Sequence, residues 1–83
     1  MRIKLSHEEA EVFKEAVKSQ MAGTTPHLFK QNDHFYIEEP EDRIVDFEQC
    51  CQEYFLYIGL DKDYNPTNKG KIIERLIDKL FIK

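Results

Sequence analysis

The sequence predicts an α+β domain, mainly helical, in which three helices pack with a small antiparallel sheet. Three observations predict it. Apolar residues recur at spacings of three and four in three separate stretches, as amphipathic helices require. Two short β-prone runs, "RIKL" and "HFYI", lie outside those stretches. Cap and turn residues, among them Ser6, Gly23, Pro40 and Gly59, fall at the joints. A chain of 83 residues fits one domain, 1–83, and buries roughly 60–65% of its unfolded surface, so its core is small.

Residues 2–5 read as the N-terminal strand, with Ile3 and Leu5 on one face. "SHEE" then reads as a capping box, Ser6 accepting from the Glu9 amide and Glu9 returning the bond. Ala10, Phe13, Val17 and Met21 form one apolar stripe, and Gly23 is the expected stop. In the segment near 28–38, "LF" and "FYI" flank the polar "KQND". This reads either as a hairpin or as a loop plus one strand, with "HFYI" the natural partner of "RIKL".

Pro40 opens the longest predicted helix, 40–58, and Glu38, Glu39, Glu41 and Asp42 gather at the positive end of its dipole. Ile44, Phe47, Cys51, Phe55 and Ile58 form its stripe. Gly59 ends it, with Leu60 expected to fold back on Phe55 in a Schellman-type stop. Val45 and Leu56 lie off the stripe, so this helix is expected to be sandwiched at the centre of the fold or to meet a second subunit as a homodimer. The last helix begins after Asn65 or Thr67 and runs to about Phe81, with Ile72, Ile73, Leu76, Ile77, Leu80 and Phe81 as a wide apolar face.

No apolar run has the length of a membrane span, and the start has no apolar core of a secretory signal. Cys50 and Cys51 are chain neighbours that do not bridge in a helix, which fits a reducing, cytoplasmic setting. The formal charge of −4 is unevenly spread. Residues 1–37 carry five basic and five acidic groups, 38–63 carry two and nine, and 64–83 carry five and two. The acidic middle argues against nucleic acid as a partner and for a basic protein.

"DKDYNPTNKGKIIE", residues 61–74, places Asp61, Asp63 and Asn65 at alternate positions, as in an EF-hand loop. Position 6 of such a loop needs glycine and is Pro66; position 12 needs glutamate and is Ile72. The stretch therefore reads as a polar turn, with Asn65 as cap and Pro66 opening the helix. His27 and His34 are read as able to face one another across a hairpin, with Lys30 as a phosphate-stabilising cation, the set a metal-independent ribonuclease would need. Two exposed loop histidines are the plainer reading. Zinc lacks a set of three or four His/Cys ligands, and Gly70-Lys71 lacks the rest of a P-loop. No catalytic residue, metal or cofactor is expected.

What remains is one side of the central helix. Asp42, Asp46, Gln49, Cys50, Glu53 and Tyr57 fall there at spacings of 4, 3, 1, 3 and 4, and Tyr54 borders it. Carboxylates interleaved with tyrosine suit docking to a basic cleft, the charges steering and the rings anchoring. The plainer reading is an ordinary solvated helix face.

The opening "IKLSHEEAEVF" and the ending "GLDKDYNPTNKGKIIERLIDKL", with the short length and acidic balance, resemble small bacterial immunity proteins. Those are encoded beside polymorphic or contact-dependent-inhibition toxins and neutralise the toxin by binding it. The resemblance covers the two ends of the chain. It implies a cytoplasmic, non-enzymatic inhibitor of a cationic toxin, with nuclease the expected class. The four-helix inhibitors of colicin nucleases share the size and acidity, but this sequence lacks their double-tyrosine pattern and begins with a strand. No site residue is carried over from them.

Overall fold

The computed structural model describes residues 1–81. The chain runs β1 (Arg2–Leu5), α1 (His7–Gln20), β2 (Leu28–Gln31), β3 (His34–Glu38), α2 (Glu41–Ile58) and α3 (Asn68–Leu80). The fold is α+β and mainly helical, with an antiparallel sheet in the order β1-β3-β2. The region between α1 and α2 is a hairpin. Asn32 and Asp33 both take positive φ, 52° and 65°, the pair of left-handed residues that a two-residue hairpin turn needs and that Asn and Asp tolerate best after glycine. Ile3 pairs with Ile37 and Leu5 with Phe35, so "RIKL" and "HFYI" are partners.

The capping box forms as the sequence predicts. The Glu9 amide donates to Ser6 Oγ at 3.2 Å, and the Ser6 amide donates to Glu9 Oε1 at 2.8 Å. Glu9 itself is buried, and Lys79 of α3 donates to the same Oε1 at 2.5 Å, with Arg75 at 3.7 Å from Oε2. One carboxylate thus starts α1 and ties it to α3. The core joins Ile3, Leu5 and Ile37 of the sheet to Phe13, Val17, Ile44, Phe47, Ile73, Leu76 and Leu80 of the helices. Phe13 and Phe47 meet edge to face at 5.4 Å, a geometry that adds about 1 kcal/mol to their burial.

Four local expectations change. α1 ends at Gln20, with Met21 as its cap, and Gly23 turns the chain two residues later at φ 90°. Gly59 is not left-handed: its φ is −80°, and its amide closes the last turn on the Phe55 carbonyl. Glycine is required at Gly70 because α2 and α3 meet there backbone to backbone, and at Gly59 because a side chain would meet Phe55 one turn earlier in α2. α3 is capped by Thr67, whose hydroxyl accepts from the Gly70 amide at 2.9 Å, and not by Asn65. Pro66 stays extended because it bridges to Leu60. Finally, α2 packs on α1 and α3 but is not sandwiched: Val45 is 48% and Leu56 74% exposed.

The 61–66 turn closes on itself. Asp61 Oδ1 accepts from the amides of Asp63 and Asn65 at 2.8 and 3.0 Å, an Asx-type turn in which the carboxylate replaces a missing backbone partner. Two consequences are expected. Asp61→Ala lowers the melting temperature by several degrees, and millimolar calcium leaves the wild-type melting temperature unchanged. Calorimetry with and without calcium checks both; a calcium-induced rise would show that Asp61 serves an ion instead.

Candidate functional site

The outward side of α2 is built by its own periodicity. Burial of Ile44, Phe47, Cys50, Cys51 and Tyr54 against α1 and α3 fixes the rotation of the helix. That rotation leaves Asp42, Asp46, Gln49, Glu53 and Tyr57 exposed together. Tyr57 is 73% exposed, so most of its side chain is available for contact.

Tyr54 is a correction. It is buried, packed between α1 and α3 beside the Glu15–Lys69 ion pair. Burial, with the Glu15 carboxylate next, pushes its phenol above the usual range. Reading one stripe misplaced it, because a helix that packs on two neighbours buries a wider sector than one stripe covers. Cys50 is likewise inside, donating its thiol to the Ala16 carbonyl at 3.4 Å. Burial, with Glu53 adding to it, pushes the Cys50 thiol up to about 11; Cys51, more deeply buried, is pushed up to about 12. Neither is a nucleophile at neutral pH.

The structure adds three residues to the face. Met21, at the end of α1, closes one side of a shallow groove of about 260 Å³ whose other walls are Asp46, Gln49, Cys50 and Glu53. At 3.6 residues per turn, Leu56 lies about 20° and Val45 about 40° around the helix from Gln49. Both are exposed, so these apolar side chains border the carboxylates. Their position beside the acidic face follows from helical periodicity and was readable in the sequence; that no other element covers them was not.

Electrostatically the face is unbalanced. The ion pairs among the described residues use Glu8, Glu9, Glu11, Glu15 and Glu38, all on α1 or the sheet. Glu41, Asp42, Asp46, Glu48 and Glu53 of α2 have no cationic partner among those residues. The one cation of the helix, Arg43, lies over the Phe47 ring at 5.3 Å.

The hairpin histidines do not converge. The Glu38 amide donates to the His27 carbonyl at one end of the hairpin, while His34 pairs with Gln31 at the turn. The two are four residues apart along the ladder, about 13 Å. Lys30 pairs with Phe35 and so lies on the opposite face of the sheet from His34. The acid–base arrangement considered for His27, His34 and Lys30 is therefore not assembled. Among the described residues no group of three or more His, Cys, Asp or Glu side chains converges on a metal position. No described helix is long and apolar enough to cross a membrane.

Comparison of the chain with protein-family models, with curated proteins and with solved structures found no match.

Proposed function

We propose that this protein is a non-catalytic inhibitor that docks the outer face of α2 on a cationic protein, as an immunity protein does on its toxin, and that it works in the cytoplasm on a nuclease-type toxin domain. One observation carries the reading: α2 concentrates carboxylates without ion-pair partners around exposed Val45, Leu56 and Tyr57. Keeping like charges together on one helix costs stability. A partner rich in Lys and Arg, with an apolar patch at its centre, relieves that cost on binding. A second copy of the chain offers the apolar residues but sets carboxylate against carboxylate. The homodimer is therefore the lesser reading, and sedimentation as a monomer at high micromolar concentration is expected.

The mechanism follows from where each group sits. Asp42, Asp46 and Glu53 stand in solvent and act at a distance, raising the encounter rate. Leu56 and Tyr57 act by contact, once water has left the interface. Exposed charges change association and its salt dependence, whereas a buried aromatic changes dissociation. The triple variant Asp42→Asn, Asp46→Asn, Glu53→Gln is expected to associate more slowly at low salt, with a flatter salt dependence. Tyr57→Ala is expected to dissociate faster, by about 2 kcal/mol in affinity, with association nearly unchanged. Both should keep the wild-type circular dichroism, because neither touches the core. The measurement is binding kinetics at two salt concentrations with the cognate toxin domain, which on this reading is encoded beside the gene. If both variants bind and protect like wild type, the α2 face is only a solvated surface.

A further inference from the structure

The other side of the molecule has a surface of different character. Alternation along the strands turns Ile3, Leu5 and Ile37 into the core and Arg2, Lys4, Phe29 and Tyr36 to the outer face of the sheet. Tyr36 pairs with both Lys4 and Phe29, so these three form one row across the strands. The Phe29 and Tyr36 rings stack at 5.7 Å with an interplanar angle of 25°. The Arg2 guanidinium lies 5.3 Å from one centroid and 5.6 Å from the other. Neither ring belongs to the hydrophobic core or is packed against it.

At the end of this face nearest the hairpin turn, Lys4, Leu5, Ser6, His34 and Lys79 line a cavity of about 370 Å³. Neither ring lines the cavity, but His34 is two residues from Tyr36 along β3, about 7 Å, and Lys4 pairs with Tyr36, so one nucleotide unit can span the two. Glu8 and Glu9 are the acidic groups near this corner: Glu9 is shared between Lys79 at 2.5 Å and Arg75 at 3.7 Å, and Glu8 lies 3.5 Å from Arg75, which leaves the charge of Lys4 in excess. Lys4 has no ion-pair partner among the described residues. The corner is therefore net positive in a chain of net charge −4. A cross-strand aromatic pair alone serves to hold a hairpin together. A cationic cavity beside it adds nothing to that role.

The geometry points to a binding site for a nucleotide unit, its base on the Phe29–Tyr36 rings and its phosphate in the cavity with Lys4, Lys79 and His34. Phe29 and Tyr36 are half-buried, and a partly open π surface flanked by cations is an arrangement by which antiparallel sheets take single-stranded nucleic acid, since every base has a face to stack and every phosphate a charge to meet. The acidic segment that argued against nucleic acid lies mainly on α2, and Glu38, the carboxylate on this face, is already paired with Arg2 at 2.9 Å. The inference is independent of the α2 docking surface.

The test uses the full chain, isotopically labelled, in NMR titrations with adenosine, inorganic phosphate, adenosine monophosphate and a short single-stranded RNA at low salt. Adenosine is expected to shift Phe29 and Tyr36 signals, phosphate those of Lys4, His34 and Lys79, and the monophosphate both sets. Tighter binding of the RNA identifies a strand as the source of the nucleotide, and equal binding identifies the free nucleotide. Lys4→Gln, at an exposed position, should weaken the monophosphate about fivefold. Lys30→Gln, which removes the same charge from the other face of the same hairpin, should leave affinity unchanged. No shifts at millimolar monophosphate, or equal losses in both variants, would overturn the inference.

Discussion

Gly70→Ala is expected to destabilise the fold by about 3 kcal/mol, a fall in melting temperature of roughly 15 °C for a domain of this size. The expectation runs against helix propensity. Gly70 lies in the first turn of α3, and glycine to alanine in an unhindered helix ordinarily stabilises by about 0.5–1 kcal/mol. What reverses the sign is backbone on the far side. An alanine methyl at this position would lie 2.0 Å from the Gly59 carbonyl oxygen and 2.9 Å from its carbon. That carbonyl is not free to withdraw, because it accepts from the Thr67 amide at 2.9 Å and from the Thr67 hydroxyl at 3.3 Å. Making room for the methyl breaks the bonds that start α3, or parts the end of α2 from it. Gly23→Ala is the control. No atom lies within 4 Å of its added methyl, so its cost is the left-handed backbone alone, about 1 kcal/mol. Thermal unfolding of the two variants decides the matter: a Gly70→Ala protein as stable as wild type, or more so, means that the helices approach less closely than the structure has them.

That junction illustrates what the sequence withholds. Gly59 was legible as the end of a helix, because glycine between a periodic run and a polar turn is a local signal. Its contact with Gly70 was not, since no periodicity marks two backbones eleven residues apart as neighbours. The capping box of Ser6 and Glu9 was readable for the opposite reason: all its partners lie within one turn. Thr67 and Asn65 are both cap residues, and the choice between them was made by Pro66, which bridges to Leu60 and holds the chain extended for one residue more. The hairpin was legible only as one of two readings, because β-prone runs around a polar turn fit a loop plus one strand equally well. Its separation of His27 from His34 needed the register.

The candidate sites divide along the same line. Asp42, Asp46, Gln49, Glu53 and Tyr57 could be grouped from the sequence because one helix sets their geometry. Tyr54 was misplaced because its burial depends on Glu15 and Lys69, which come from two other helices. Phe29 and Tyr36 were read only as β-prone residues. Their shared outer face follows from the pairing of β2 with β3, and the cavity beside them from the arrival of Lys79 at the other end of the chain.

Glu9→Ala is expected to cost about 2–3 kcal/mol, because it removes a cap acceptor and leaves Lys79 without its partner. Glu9→Gln separates the two losses. The glutamine oxygen still accepts from the Ser6 amide, so the cap survives, but the charge facing Lys79 and Arg75 is gone. The pH dependence identifies the charge contribution. Burial by itself would raise the Glu9 pKa; the Lys79 ammonium and the Ser6 amide outweigh it and hold the carboxyl below its ordinary value of 4.5. A carboxylate whose pKa falls on folding adds stability that is fully present above the unfolded value and is lost as pH falls through the folded one. Wild type should therefore exceed Glu9→Gln by a constant margin from neutral pH down to about 5, and the margin should shrink below that as Glu9 takes up its proton and comes to resemble the amide. The other carboxylates titrate alike in both proteins and cancel in the difference. Denaturant unfolding of the pair at a series of pH values measures the margin directly. A margin that stays the same into strong acid would mean that Glu9 acts only as a cap and that Lys79 contributes nothing through its charge.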